Sequence, residues 1–378
     1  MQRPSSASRK ACAASSASSR ARKPPPRSTV KPEPFRIEPK FVERIWGTRS
    51  LAPFFPEKTN LPEPIGEVWL TGIDCRVATG PFAGKTLGEA WREMPPEWRG
   101  TRFKMPGDFP ILVKFIFPND KLSIQVHPDD AYAAAHEQAA GGRGKTEMWH
   151  AISAETEAHV LIGLVPKTDR NKFVNAIESQ KLEEMFVHWR VQPGDTFFVP
   201  AGTPHTIGPG MVLCEIQEYS DLTYRVYDYG RVDAQGRPRE LHIEKALDTI
   251  EFGRSIGGKV SRLGLPSHWS HKVLLAACKY FATERWKLTT DAEVTSSPEH
   301  FDLYVILSGR GEFSWNGNTA RYECGECWLI PSSLHKFAVN PAEPTKLLRT
   351  YVPDLQTLRD RLKQENYSWR EIEKTVFA

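Results

Sequence analysis

Gly194-Asp195-Thr196-Phe197-Phe198-Val199-Pro200, with His205 shortly beyond it, returns later in the chain as Gly325-Glu326-Cys327-Trp328-Leu329-Ile330-Pro331, with His335 beyond it. A glycine followed by an acid reads as a tight turn and the run after it as a strand. The proline, with no N–H to give a ladder, ends that strand. The same hairpin geometry used twice argues for a duplicated fold. Around the first copy, short β-type runs stand at 68–73, 111–117, 122–126, 148–152, 158–164 and 211–217, separated by Gly, Pro, Asn and Asp. Around the second they stand at 272–278, 281–288, 302–307 and 311–315. Even spacing of this kind suggests a barrel or a sandwich, so a mainly β protein of two tandem β modules is expected. Helical periodicity at 86–91, 171–186, 242–252 and 354–363 adds small helical insertions.

The boundaries read as a basic tail over 1–33, a first module over 34–255 with a helical insertion at about 170–190, a linker over 256–270, a second module over 271–353 and a C-terminal helical extension over 354–378. At 378 residues, 40% hydrophobic and 11% aromatic, the chain has material for two cores. Its net charge of +4 misleads, because residues 1–32 carry Arg3, Arg9, Lys10, Arg20, Arg22, Lys23, Arg27 and Lys31 and no acid. Removing those eight charges from +4 leaves the rest near −4. A mildly acidic body offers no footprint for nucleic acid. The tail, rich in Ser, Ala and Pro, is expected to be disordered. No apolar run approaches the roughly 18 to 20 residues of a membrane helix, and no secretory h-region opens the chain. Six scattered cysteines suit a reducing compartment, so a cytoplasmic location is expected. Cys324 and Cys327 form a lone C-x-x-C without a second pair at metal spacing, and read as ordinary half-buried thiols.

Chemistry gathers in three places. In Lys121-Leu-Ser-Ile-Gln-Val-His-Pro128, strand alternation puts Ser123, Gln125 and His127 on one face and Ile124 and Val126 on the other. Gly144-Lys-Thr-Glu-Met-Trp149 puts Lys145, Glu147 and Trp149 on a common face. The Gly194 phrase supplies His205 just past a strand end. Each piece alone is weak, since a strand-end histidine is more often a structural, hydrogen-bonded residue. Together, imidazole nitrogen, carboxylate and amide oxygen without thiolate make a ligand set that suits zinc and leaves positions open, as catalytic sites do.

The spacing Gly194-x5-Pro200-x-Gly202-x2-His205 matches the second signature of the cupin barrel, and Gln125-x-His127 with Glu147 looks like a variant of the first. Ile45-Trp46-Gly47, Ile65-Gly66-Glu67-x-Trp69, Ser123-Ile-Gln-Val-His-Pro128, Gly144-Lys-Thr-Glu147, Pro200-Ala-Gly-Thr-Pro-His205 and Ser220-Asp-x-x-Tyr-Arg225 resemble, in order, the type I mannose-6-phosphate isomerases, over about 35–353 and in their shorter bacterial form. The resemblance implies two tandem cupin (jelly-roll) β-barrels and one zinc ion per chain bound by Gln125, His127, Glu147 and His205, with Arg225 in the active site. It also implies a zinc-dependent aldose–ketose isomerase that interconverts mannose 6-phosphate and fructose 6-phosphate through an enediol. Two departures stand out. Longer members carry His-Lys-Pro-Glu where Gly144-Lys-Thr-Glu147 stands here. In the second module Asp302-Leu-Tyr-Val-Ile stands where a Gln-x-His is sought, and Pro331 and His335 are one residue closer, so no metal is expected there.

Lys145 is expected to assist proton movement if zinc and burial lower its pKa, or else to donate to phosphate or hydroxyl. Arg225 suits a phosphate or an enediolate, against a plainer reading as an ion-pair partner of Asp221 or Asp228. Lys121, Ser123, Glu215, Glu218 and Asp221 are further candidates for handling substrate or protons. The expected partner is a small sugar phosphate, with no nucleic acid or membrane, and a monomer is compatible with the sequence. Two other readings are a non-catalytic sugar-binding or regulatory cupin, and a metal-dependent cupin oxidoreductase. Gln125 in place of a histidine disfavours the oxidoreductase.

Overall fold

A computed structural model describes residues 31–103, 107–232, 236–254, 257–268 and 270–378; the expected basic tail up to residue 30 lies outside them. Pro32–Ala378 forms one compact unit built from two pairs of antiparallel sheets. In the first pair, a seven-stranded sheet runs in the order Gly258–Lys259, Thr196–Val199, Glu147–Ala154, Met211–Glu218, Ile111–Ile116, Ile65–Trp69, Lys40–Thr48. It faces a five-stranded sheet ordered Tyr224–Tyr227, Ile124–Val126, His205–Ile207, His159–Leu164, Phe186–Arg190. The second pair has seven strands, Phe35–Ile37, Cys327–Ile330, Asp302–Ser308, Thr345–Tyr351, Ala282–Leu288, Ser270–Ala277 and Leu263–Leu265. Opposite them stand four, Ala292–Thr295, Lys336–Pro341, Gly311–Trp315 and Asn318–Tyr322. The mainly β expectation holds, with one correction: each module is an open two-sheet sandwich and no closed barrel is present among the described residues. Side chains fill the gap between facing sheets, so the edges need not join.

The repeated phrase does the same work twice. Gly194 and Gly325 both sit at positive φ, +91° and +88°, as the turn requires. The acid after each holds the turn, Asp195 accepting from the Gln192 amide at 2.9 Å and Glu326 from the Glu323 amide at 3.0 Å. In each strand alternate residues serve two cores. Trp149, Phe197, Val199 and Leu213 point inward against Val160, Ile162 and Ile207 of the facing sheet. On the other side, Val68, Phe115, Phe198 and Ile216 share one core with Val273, Leu303, Leu329 and Leu348, so the two seven-stranded sheets pack back to back.

Several segments differ from their sequence reading. Phe35–Ile37 pairs with Cys327–Ile330 and so belongs to the second module's sheet. Within 170–190, Arg170–Glu178 is helical behind its Asp169 cap, and Phe186–Arg190 is a strand paired with His159–Leu164. Within 256–270, Gly258–Lys259 and Leu263–Leu265 each add an edge strand, one to either seven-stranded sheet. Phe173, Leu182 and Phe186 cover the outer face of the five-stranded sheet at Ile124, Val126 and Leu161. Leu358 and Leu362 of Leu355–Gln364 cover Leu274 and Ala277. No helix of the described residues is long and apolar enough to cross a membrane.

Candidate metal centre

Gln125 is the middle residue of Ile124–Val126, and because Ile124 and Val126 are buried under the helices, it projects into the sandwich. His205 opens the next strand directly opposite it in register. Glu147 opens Glu147–Ala154 on the facing sheet, and His127 follows the end of its strand. Backbone bonds tie these segments: Gly202 donates to the His127 carbonyl at 2.8 Å and Lys145 to the Pro128 carbonyl at 2.9 Å. Gly144 is required by this crossing, since a Cβ there would stand 2.5 Å from the backbone of Asp129 and Asp130.

His127 Nε2 and His205 Nε2 lie 3.7 and 3.3 Å from Glu147 Oε1, and the candidate ligand atoms of all three residues fall within 4.8 Å of one another. Ligand atoms about 2.0–2.2 Å from one tetrahedral ion are separated by roughly 3.3–3.6 Å, so the cluster fits such an ion. Gln125 Nε2 is 3.3 Å from His205 Nε2, and Ser123 Oγ is 3.3 Å from Gln125 Oε1. Turning the amide over presents Oε1 to the centre and leaves its NH2 to donate to Ser123.

The protonation states suit a cation. Each imidazole gives its Nδ1–H to a carbonyl, His127 to Leu222 at 2.7 Å and His205 to Thr203 at 2.9 Å, so each Nε2 lone pair faces inward. Burial pushes His205 down to about 3 and lowers His127, keeping both neutral. Burial alone would raise Glu147, but the Lys145 ammonium holds it well below the usual carboxylate range. His127 Nε2 and Glu147 Oε1 are buried without a hydrogen-bond partner, an arrangement that is costly unless something binds there.

The centre opens on a cleft of about 700 Å³ lined by Ser123, Gln125, Lys145, Glu215, Asp221 and Arg225 of the expected residues. Lys114 and Arg44 join them there. In register across the seven-stranded sheet stand Trp69, Lys114, Glu215 and Trp149, a row on one face. Lys145 Nζ is 2.8 Å from Glu147 Oε2 and 3.2 Å from Glu215 Oε1. Desolvation would lower its pKa, but Glu147, Glu215 and Asp221 outweigh it and hold it raised. Desolvation pushes Glu215 up to about 7 against the pull of Lys145. Lys114 pairs with Asp221 at 2.7 Å and holds that half-exposed carboxyl down at about 2.

Three expectations are corrected. Lys121 lies outside the cleft, its ammonium paired with Glu183 at 2.8 Å. Glu218 is buried outside the cleft lining, accepting the Thr146 amide at 2.8 Å. Arg225 pairs with neither proposed acid: Asp221 holds Lys114, while Asp228 holds Arg231 and Arg239. Its Nη1 donates to the Glu240 carbonyl at 2.9 Å, and its buried Nε has no partner. Lys114 and Glu67 were missed as site residues. A lone lysine inside Ile111-Leu-Val-Lys-Phe-Ile116 was the available signal, since a charge in an apolar strand demands a partner.

Sandwiched jelly-roll sheets with a His–Glu–His–Gln cluster under a cleft of fixed charges define an enzyme of the cupin type. Residues 34–157 match the family described as phosphomannose isomerase type I, catalytic domain. The chain is 35% identical to the probable mannose-6-phosphate isomerase GmuF of Bacillus subtilis (strain 168) over 315 residues, 81% of this chain and 96% of that one. It is 34% identical to the mannose-6-phosphate isomerase ManA of the same organism over 314 residues, 81% and 95%. The crystal structure of the mannose 6-phosphate isomerase from Bacillus subtilis superposes with a TM-score of 0.76 at 30% identity, covering 84% of this chain and 99% of that one. The chain belongs to the type I mannose-6-phosphate isomerases, and it is an enzyme of that family.

Proposed function

We propose that its isomerase activity, between mannose 6-phosphate and fructose 6-phosphate, depends on one zinc ion per chain held by Gln125, His127, Glu147 and His205, and proceeds through an enediol. The observation that carries this is the buried pair of unpartnered atoms, His127 Nε2 and Glu147 Oε1, facing one another with both imidazoles neutral. When bound, zinc supplies a Lewis acid that polarises and orients the sugar's oxygens.

The remaining work falls to the chain. An aldose–ketose exchange moves a proton between C1 and C2, so the cleft must steady an oxyanion and pass a proton. Lys145, held as an ammonium between two carboxylates, donates to the sugar's oxygens. Glu215, raised to about 7, takes up and returns the proton near neutral pH. Arg225, without a carboxylate of its own, offers its fork to the phosphate or to the enediolate. Ser123 and Asp221 line the path, Asp221 through Lys114.

The test is metal content by mass spectrometry beside turnover of mannose 6-phosphate with and without chelator. One zinc per chain, with activity lost on chelation and restored by zinc, is expected. Full turnover by metal-free protein would overturn the reading.

A further inference from the structure

The second module reaches the metal centre from behind. Tyr280, in the turn between Ser270–Ala277 and Ala282–Leu288, donates its hydroxyl to Asp130 Oδ2, and Lys279 stands 3.4 Å from the same oxygen. Asp130 follows His127 by three residues and accepts the Gly144 amide on Oδ1 at 3.2 Å. The carboxyl of Glu218 lies against that of Asp130 and accepts the Thr146 amide at 2.8 Å. Thr146 in turn accepts the Ala201 amide on its own hydroxyl at 3.3 Å. This short chain of bonds therefore touches the backbone beside His127, the backbone on the near side of Glu147, and the loop that leads to His205.

Charge agrees with that geometry. Burial and the neighbouring Asp130 raise Glu218 to about 8, so it is a carboxylic acid near neutral pH with a proton to give. Burial alone would raise Asp130, but the Tyr280 hydroxyl, the Gly144 amide and Lys279 hold it lowered, so it is the acceptor. Every buried donor in the chain thus has a direction, which fixes a network more firmly than its separate bonds would.

We propose that Tyr280 is a positioning residue of the metal centre: by anchoring Asp130, it sets the spacing between the His127 segment and the Glu147 segment. This rests on the reading that those residues bind zinc. A plainer role, in which Tyr280 merely glues the two modules, makes a different prediction. Glue loosens the fold, whereas positioning loosens the metal.

The experiment uses the full chain, with zinc affinity measured by competition with a chromophoric chelator and the melting temperature of the metal-free protein measured beside it. Tyr280→Phe keeps the ring and removes the anchoring hydroxyl. It is expected to weaken zinc binding about tenfold, the lower end of what loss of an outer-shell partner costs, with the metal-free melting temperature nearly unchanged. Lys279→Ala removes the other partner of Asp130 and is expected to shift zinc affinity less than about twofold, as an exposed ion pair should. An unchanged zinc affinity in Tyr280→Phe, or a lower melting temperature without a change in zinc binding, overturns positioning. Equal weakening in both variants also overturns it, because the charge of Asp130 rather than the hydroxyl bond would then be responsible. Failure of the wild-type protein to bind zinc overturns both this inference and the reading beneath it.

Discussion

Asp302 stands in the second sandwich where Glu147 stands in the first. Each opens its strand, and each lies opposite the residue before the repeated proline, Glu147 opposite Val199 and Asp302 opposite Ile330. Their partners differ. Glu147 faces two imidazoles, whereas Asp302 receives the Arg349 guanidinium at 3.0 Å. Arg349 also lies 3.6 Å from buried Glu284. Lys145 holds Glu147 Oε2 at 2.8 Å, so the difference lies at Oε1, which faces imidazoles where Asp302 faces a guanidinium. The strand matching Ile124–Val126 is Ala292–Thr295, with Thr295 opposite Lys336 as Gln125 is opposite His205, which corrects the sequence comparison of Asp302 with a Gln-x-His strand.

Arg349→Met tests that difference. Removing the guanidinium leaves buried Asp302 to His300 at 3.3 Å and buried Glu284 to Lys272 at 3.7 Å, and costs about 3–5 kcal/mol. Chemical denaturation should show a loss of this size with zinc content unchanged; a loss under about 1 kcal/mol would mean that the pair is dispensable.

Glu147→Gln should act in the opposite way. The carboxylate is lost, and zinc affinity is expected to fall by more than about a hundredfold, beyond the effect of outer-shell changes. Chelator competition reads this directly, and retention of tight zinc by the variant would place the ion elsewhere.

Arg225→Ala removes a guanidinium that no carboxylate among the described residues engages. The expected fall in kcat/KM is about 100- to 1000-fold, typical for a donor aimed at developing charge, with zinc retained. Wild-type kinetics with zinc bound would remove Arg225 from the reaction.

The pH dependence of stability should carry the mark of Glu218. Its folded value of about 8 lies above an unfolded value near 4.5, so the folded state binds the proton more tightly. The stabilisation is complete below 4.5 and is lost as pH rises toward 8. Glu218→Gln keeps a donor toward Asp130 and should flatten that part of the curve. Denaturant midpoints between about pH 5 and pH 8 measure it, and identical slopes in the two proteins would exclude the assignment.

Much of this was legible in the sequence because β alternation is strict. Ser123, Gln125 and His127 read as one face, and Gln125 does project inward opposite His205. The repeated Gly-acid-strand-proline phrase carried the duplication down to its turn bonds. What escaped depended on pairing between distant strands. Lys121 was a candidate beside Ser123, yet its ammonium is drawn to Glu183, which lies 62 residues on. The raised pKa of Lys145 depends on Glu215, which alternation in one strand cannot place beside it. Asp228 chose Arg231 and Arg239 over Arg225 for reasons of loop geometry that spacing does not encode.

The pairing of Phe35–Ile37 with Cys327–Ile330 has a consequence for synthesis. Arg36 and its ion-pair partner Glu326 are separated by 290 residues, so the first strand must wait for that length of chain to be translated. At about 5–20 residues per second that is a delay of roughly 15 to 60 seconds, during which its edge is unmated. The nascent first half is a natural client for chaperones, and a stop codon late in the gene would leave it without closure.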